Sequence, residues 1–190
     1  MPKIGVLALQ GAFREQAETL DALGADVTLV KTPEQLAGVD AIVLPGGEST
    51  TVDKLLDSSG LRAPLRDVLR DGLPALAVCA GLIVLAAEVV DGRADQQPLG
   101  IVDVTVRRNG YGRQRDSFEA DLEVDGLEAS FPGIFIRAPV IERVGSGVDV
   151  LAVHDAVPVL GRQGTVLFAT FHPELANDLR VHQLFLEEVA

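Results

Sequence analysis

"KIGVLALQGAFREQAETLDALGADVTLVK", residues 3–31, decides the fold class. Residues 3–9 form a continuous apolar run, as a strand buried on both faces requires. Phe13, Ala17, Leu20 and Leu23 then recur at helical spacing, and Gly24 is placed to end the helix. "DVTLVK" (26–31) reads as a second strand. Strand, helix and strand joined by short links make the repeating unit of a parallel sheet.

The same alternation continues outward. "PEQLAG" is a short helical turn, and "DAIVLPGG" (40–47) is a third strand running into a glycine pair. "ESTTVDKLLDSSG" and "LRAPLRDVLRDG" are polar-faced helical segments. "PALAVC" (74–79) is a fourth apolar strand, and "AGLIVLAAEVV" (80–90) predicts a helix after it. This is the pattern of a doubly wound, mostly parallel sheet flanked by helices. The second half changes character. Six strand-like pieces with turn residues between them, from "LGIVDVTVRR" (99–108) to "TVLFATFHPE" (165–174), predict added antiparallel strands attached to the sheet. "DGRADQQP" (91–98) reads as a loop, and "DLRVHQLFLEEVA" closes the chain as a helix. With no linker and no repeat, residues 1–190 read as one α/β domain.

Composition agrees. A chain of 190 residues buries about 70% of its unfolded surface and needs no staples. Hydrophobic residues make up 47% and aromatics 4%, so the core must be aliphatic. A net charge of −12 gives the field the wrong sign for DNA or RNA, which are held through Lys and Arg. One cysteine cannot form an internal disulfide. The N-terminal apolar run is too short for a signal peptide, and no window reaches the roughly 18 apolar residues of a membrane span. The expectation is a cytoplasmic protein with no nucleic-acid or membrane partner.

Sites on parallel sheets form at the carboxyl ends of strands. "PGGES" (45–49), "CAG" (79–81) and "FHPEL" (171–175) fall there. Ala77-Val78-Cys79-Ala80-Gly81 fits the small-x-nucleophile-x-Gly form of a nucleophile elbow. Such a turn presents the sulfur to a crevice, the helix start favours thiolate, and the Ala80 N–H points where an oxyanion would form. A lone cysteine in an apolar run is more often a small buried hydrophobe, so both readings stand. His172 ends a strand with Glu174 two residues on, and residues i and i+2 of an extended segment share a face. Cys79, His172 and Glu174 are therefore candidate nucleophile, base and orienter; a strand-end turn with a solvated Glu is the alternative. His154 sits in a turn-like setting, and His182 reads as a surface or packing residue of the last helix.

"PGGEST" lacks the Walker and GxGxxG patterns, so it is no phosphate loop by motif. Its glycines can bring backbone amides to a carbonyl oxygen, with Ser49 or Thr50 capping the next helix. "RRNGYGRQR" (107–115) carries four arginines that either hold a carboxylate, within the protein or on a substrate, or form a solvated hairpin turn.

Taken together, "GVLALQGAFREQ", "LPGGESTT", "CAGLIVLA", "RNGYGRQRDSFEADL", "FIRAP" and "FHPEL" resemble, in order and spacing, the glutaminase subunits of pyridoxal 5'-phosphate synthases. Those are class I (triad) glutamine amidotransferases, with a flavodoxin-like fold. The resemblance runs end to end and implies a single glutaminase domain. It makes Cys79 the nucleophile toward the side-chain amide of L-glutamine, His172 the base and then the acid, and Glu174 its orienter. It puts the oxyanion hole at the amides of Gly47 and Ala80. Gly47, Glu48, Ser49, Arg108, Ile136 and Arg137 fall on the family's glutamine-binding positions. No cofactor and no metal is implied. The implied partner is a synthase subunit with a ring-shaped oligomeric core, which takes the ammonia, and Gln10 is a candidate for that coupling. Departures are Val78 where Thr is expected, Ala77 where Gly is common, and Gln16 where the family often has His. The rivals are a triad glutaminase feeding another synthase, a non-catalytic module on the same fold, and a thiol hydrolase or chaperone. "YGRQ" with "FIRAP" favours the vitamin B6 subunit, and Cys79, His172 and Glu174 together disfavour the other two.

Overall fold

The stretch at 3–31 folds as read: β1 (Lys3–Leu7), α1 (Phe13–Ala22) and β2 (Asp26–Val30), with β1 and β2 parallel. The structure is a computed structural model, and it describes residues 2–108, 110–111 and 117–189. After β2 come α2 (Pro33–Leu36), β3 (Ala41–Leu44), α3 (Ser49–Ser58), α4 (Arg62–Arg70), β4 (Ala75–Val78) and α5 (Ala80–Leu85). The chain goes on through β5 (Ala86–Val90), β6 (Val102–Arg107), β7 (Ser117–Leu122), β8 (Phe131–Ile136) and β9 (Val140–Val144). It finishes with β10 (Asp149–His154), β11 (Val157–Gln163), β12 (Val166–Ala169) and α6 (Arg180–Glu187).

The main sheet has seven strands in the order β10-β11-β12-β4-β3-β1-β2. The five from β12 to β2 are parallel, while β10 and β11 join as an antiparallel pair beside β12. Side chains of a strand alternate between faces, and here each face meets a different core. Ile4, Val6, Ala41, Val43, Leu76 and Val78 pack with Leu20 of α1 and Val181 and Phe185 of α6. Leu7, Ile42, Leu44, Ala75 and Ala77 pack with residues of α3, α4 and α5. Helices on both faces explain why these strands read as unbroken apolar runs. Among the described residues, no helix is long and apolar enough to cross a membrane.

Two expectations need correction. The helix predicted over 80–90 stops at Leu85, and residues 86–90 are the strand β5, parallel to β6. The returning chain takes the helix's last carbonyls: Leu99 N–H donates to Val84 O, and Ile101 N–H to Leu85 O. Those acceptors are no longer available to continue the helix. The later strands do not all extend the main sheet either. β5, β6 and β9 form a separate three-stranded sheet, and β7 with β8 forms a hairpin; of these later strands only β10, β11 and β12 join the main sheet, and β12 does so parallel to β4.

His182 is fully buried, with Nε2 2.8 Å from Oε1 of Gln16, so its role is to tie α6 to α1. Burial lowers its pKa from 6.5 to about 4. The folded protein thus resists a proton that the unfolded chain accepts. Stability from this group is intact above the unfolded pKa of 6.5 and declines as pH falls toward about 4, by roughly 3 kcal/mol in all. Urea unfolding at about pH 7.5 and about pH 5 should show the loss in the native chain and a smaller one in His182→Gln.

Candidate active site

Four strand ends converge on one cleft. Gln10 follows β1, Gly47, Glu48 and Ser49 follow β3, Cys79 follows β4, and His172 lies beyond β12. The cleft has a volume of about 250 Å³. It lies at the switch point where β1 leads outward to β2 on one side and β3 and β4 continue on the other, the usual ligand position in such sheets.

Cys79 sits at φ 49 and ψ −101, a left-handed conformation that costs a side-chain-bearing residue on the order of 1 kcal/mol or more. Its N–H donates to Ala169 O at 2.8 Å, which fixes the turn against β12. Directly behind it, a β-carbon at Gly81 would lie 2.3 Å from Leu44 O, so only glycine lets α5 start this close to β3. The result is the strained strand-to-helix elbow that the sequence spacing predicts. The thiol is 6% exposed, enough to line the cleft.

His172 is held from two directions. Its N–H donates to Ile134 O at 2.8 Å, and Nδ1 lies 2.8 Å from Glu174 Oε1. Cys79 shares the cleft lining with it and favours its charged form. A β-carbon at Gly46 would lie 2.4 Å from His172 Cε1, so the glycine pair leaves the space the ring occupies. Burial opposes a charge on this imidazole, but the neighbouring Cys79 and Glu174 outweigh it and raise the pKa to about 10. Such an imidazole accepts a thiol proton readily and keeps it until a leaving group collects it. The route by which Glu174 reaches His172 differs from the extended segment expected. Pro173–Leu175 is a 3-10 turn, which Pro173 starts without an N–H to lose, and the turn brings the carboxylate back under the ring.

Glu48, not Ser49 or Thr50, caps α3. Its carboxylate accepts from Thr51 N and Thr51 Oγ1, both at 2.8 Å, from Thr50 N at 3.3 Å and from Thr50 Oγ1. Arg108 Nη2 adds a third partner residue at 3.0 Å. Partial burial works against ionisation, yet the Thr50 and Thr51 donors lower the Glu48 pKa to about 2. Arg107 pairs with Glu142 and Asp91, so the first two arginines of the 107–115 stretch hold carboxylates within the protein. Asn109, Arg113 and Arg115 lie outside the described residues. Tyr111 packs edge-on against Phe118 at 5.1 Å.

Ile136 and Arg137 close the other side of the cleft. Arg137 lies in left-handed backbone at φ 43 and has no carboxylate partner among the described residues. Gln10 Oε1 accepts from Glu48 N at 2.7 Å and so ties the end of β1 to the glycine turn. Of the residues expected at the site, Ala80 and Glu174 lie behind the lining, and the rest line the cleft. Ile83 lines it too and was not anticipated from the sequence. Its signal was its place four residues after Cys79, one helical turn on. His154 is elsewhere, at the end of β10, stacked on Phe118 at 5.3 Å.

This architecture is shared with a solved glutamine amidotransferase, which superposes with a TM-score of 0.93 at 50% identity over 98% of both chains. The chain belongs to the SNO glutamine amidotransferase family, matched over residues 6–190. It is 51% identical over 188 residues to pyridoxal 5'-phosphate synthase subunit PdxT of Mycobacteroides abscessus, covering 99% of this chain and 97% of that one. The subunit of the same name from Geobacillus kaustophilus is 51% identical over 98% of this chain and 94% of its own. PurLQS from Thermotoga maritima shares the fold with a TM-score of 0.70 at 16% identity, covering 100% of this chain and 99% of that one.

Proposed function

We propose that residues 1–190 form one glutaminase domain that hydrolyses L-glutamine in the cytoplasm. The ammonia passes to a synthase subunit that builds pyridoxal 5'-phosphate. The observation that carries the reading is the His172 ring set between the Cys79 thiol and the Glu174 carboxylate at a cleft on the strand ends. Membership of a glutamine amidotransferase family and relatives bearing the PdxT name support it.

In the reaction, the proton shared by Cys79 and His172 rests on the imidazole as the sulfur attacks the side-chain amide carbon of glutamine. The amides of Gly47 and Ala80 receive the oxyanion; Ala80 opens α5, where N–H groups lack helical acceptors. His172 then gives its proton to the departing nitrogen, leaving ammonia and a thioester. Water, activated by the same imidazole, releases glutamate and restores the thiol. Glu174 holds the ring's other nitrogen throughout. Ser49 and Ile136 line the substrate's place, and Arg137 takes its α-carboxylate, since Arg108 is engaged by Glu48. Gln10, bonded to the glycine turn, is positioned to report docking of the ring-shaped synthase core to the oxyanion hole. Gln10→Ala that kept full partner-stimulated activity would remove it from that role.

The test is glutamine-dependent ammonia release by the purified chain, with and without the synthase subunit. Release that rises with the partner is expected; none in either condition would overturn the reading. Gly46→Ala should fold normally by circular dichroism and lose about 100-fold in kcat, because the new β-carbon displaces the His172 ring and such chemistry tolerates little misplacement.

A further inference from the structure

Ser49 is 2% exposed and lines the cleft, yet its hydroxyl is not bonded into α3. Its partner comes from the loop at 91–98: Gln96 Nε2 donates to Ser49 Oγ at 3.3 Å. That loop is otherwise polar and has no strand or helix of its own, so something else must hold Gln96 still. Gln97, the next residue, is clamped at both backbone groups. Its N–H donates to Asp53 Oδ1 at 3.3 Å, and its carbonyl accepts from Arg62 Nη1 at 2.7 Å. Arg62 in turn bonds Asp53 through Oδ1 at 2.8 Å and the backbone carbonyl at 2.6 Å. Asp53 is 7% exposed and the Arg62 side chain 16%, so this junction of α3, α4 and the loop is built into the protein rather than laid on its surface.

The chemistry at Ser49 follows from the donor count. A hydroxyl has one proton and two lone pairs. With Gln96 occupying a lone pair, the proton is left over, and no other acceptor takes it among the described residues. The Gln96 Oε1 atom, which would have drawn that proton away, is buried without a partner. We infer that Gln96 is a positioning residue that sets the polarity of Ser49, so that the hydroxyl donates its proton into the cleft, to an acceptor oxygen of the substrate. This rests on the reading that the cleft binds glutamine, whose α-carboxylate and side-chain carbonyl are both acceptors.

Steady-state kinetics of ammonia release with the synthase partner present test it. Gln96→Met keeps the size of the side chain without its donor. It should raise the KM for glutamine about 3- to 5-fold with kcat nearly unchanged, the effect of loosening one neutral hydrogen bond. Gln96→Glu can only accept, so it should capture the Ser49 proton and raise KM further, to about the level of Ser49→Ala. In a Ser49→Ala background, neither change at position 96 should have any additional effect. A Gln96→Glu variant with native KM would overturn the inference, because it would show that an acceptor serves as well. So would an equal effect of Gln96→Met with and without Ser49, or a loss confined to kcat and thermal midpoint. Should Ser49→Ala itself leave KM at the native value while the chain remains an active glutaminase, Ser49 is not a substrate contact and the inference fails at its first step. If no form of the chain released ammonia, the failure would belong to the glutaminase reading instead.

Discussion

Cys79→Ala abolishes glutamine-dependent ammonia release, with a loss on the order of 10⁴-fold or more, while the protein keeps its fold and its thermal midpoint within a few degrees. The two halves of this expectation have separate causes. No other thiol exists in the chain to take over the attack, and removing the nucleophile of a concerted triad costs nearly as much as removing the whole of it. Structurally the change is small. Alanine keeps the β-carbon, so the strain at φ 49 is the same in both proteins. The N–H bond to Ala169 O is a backbone bond and survives. The sulfur faces the cleft, so its loss leaves no sealed cavity. The variant should still bind the synthase partner, which sedimentation or gel filtration of the mixture would show. Ammonia release above one hundredth of the native rate would mean that the elbow is core packing after all. That was the alternative reading of a lone apolar cysteine.

How far the sequence carried the structure depends on whether the partners of each segment were near it in the chain. The βαβ unit at 3–31 was legible because its strand pairing, its helix and its turn lie within one local stretch. The elbow was legible too, since its requirement is steric and local: a small residue two positions after Cys79. Residues 80–90 were not. Leu82, Leu85 and the alanines at 86 and 87 are good helix formers, and what converts 86–90 to a strand is pairing with residues 102–107 and capture of α5's carbonyls by residues 99–101. Propensity loses there to tertiary pairing. The cap of α3 was misplaced for a related reason. It was expected at Ser49 or Thr50; the Glu48 carboxylate instead folds back on Thr50 and Thr51 and meets Arg108, which is distant in sequence. The 3-10 turn at Pro173 shows the limit of a two-residue spacing argument. Glu174 does face His172, but through curvature and not through an extended face.

His172→Asn should lower kcat by about 10³- to 10⁵-fold, and its signature in stability should separate it from Cys79→Ala. Asparagine can still donate to Glu174 from a side-chain amide, so the cleft need not collapse. It has no basic nitrogen, however, and cannot take the thiol proton or return one to the departing nitrogen. The stability effect comes from Glu174, whose side chain is fully buried. In the native protein it faces an imidazole held protonated up to about pH 10; in the variant it faces a neutral amide, and a buried carboxylate deprived of its charged partner destabilises by about 3 kcal/mol. The pH dependence fixes the sign. The folded pKa of His172 lies above its unfolded value of 6.5, so its contribution is complete below 6.5 and fades as pH rises toward about 10. Native stability should therefore fall between about pH 7 and about pH 10 more steeply than that of His172→Asn, as followed by urea unfolding. Glu174→Gln provides the complementary result. It keeps a hydrogen-bonding partner at Nδ1 but removes the charge, so its kcat should fall less than that of His172→Asn, and its stability should lose the same alkaline slope. Equal slopes in all three proteins would show that His172 is not charged in the folded chain, and native turnover in His172→Asn would dismantle the triad altogether.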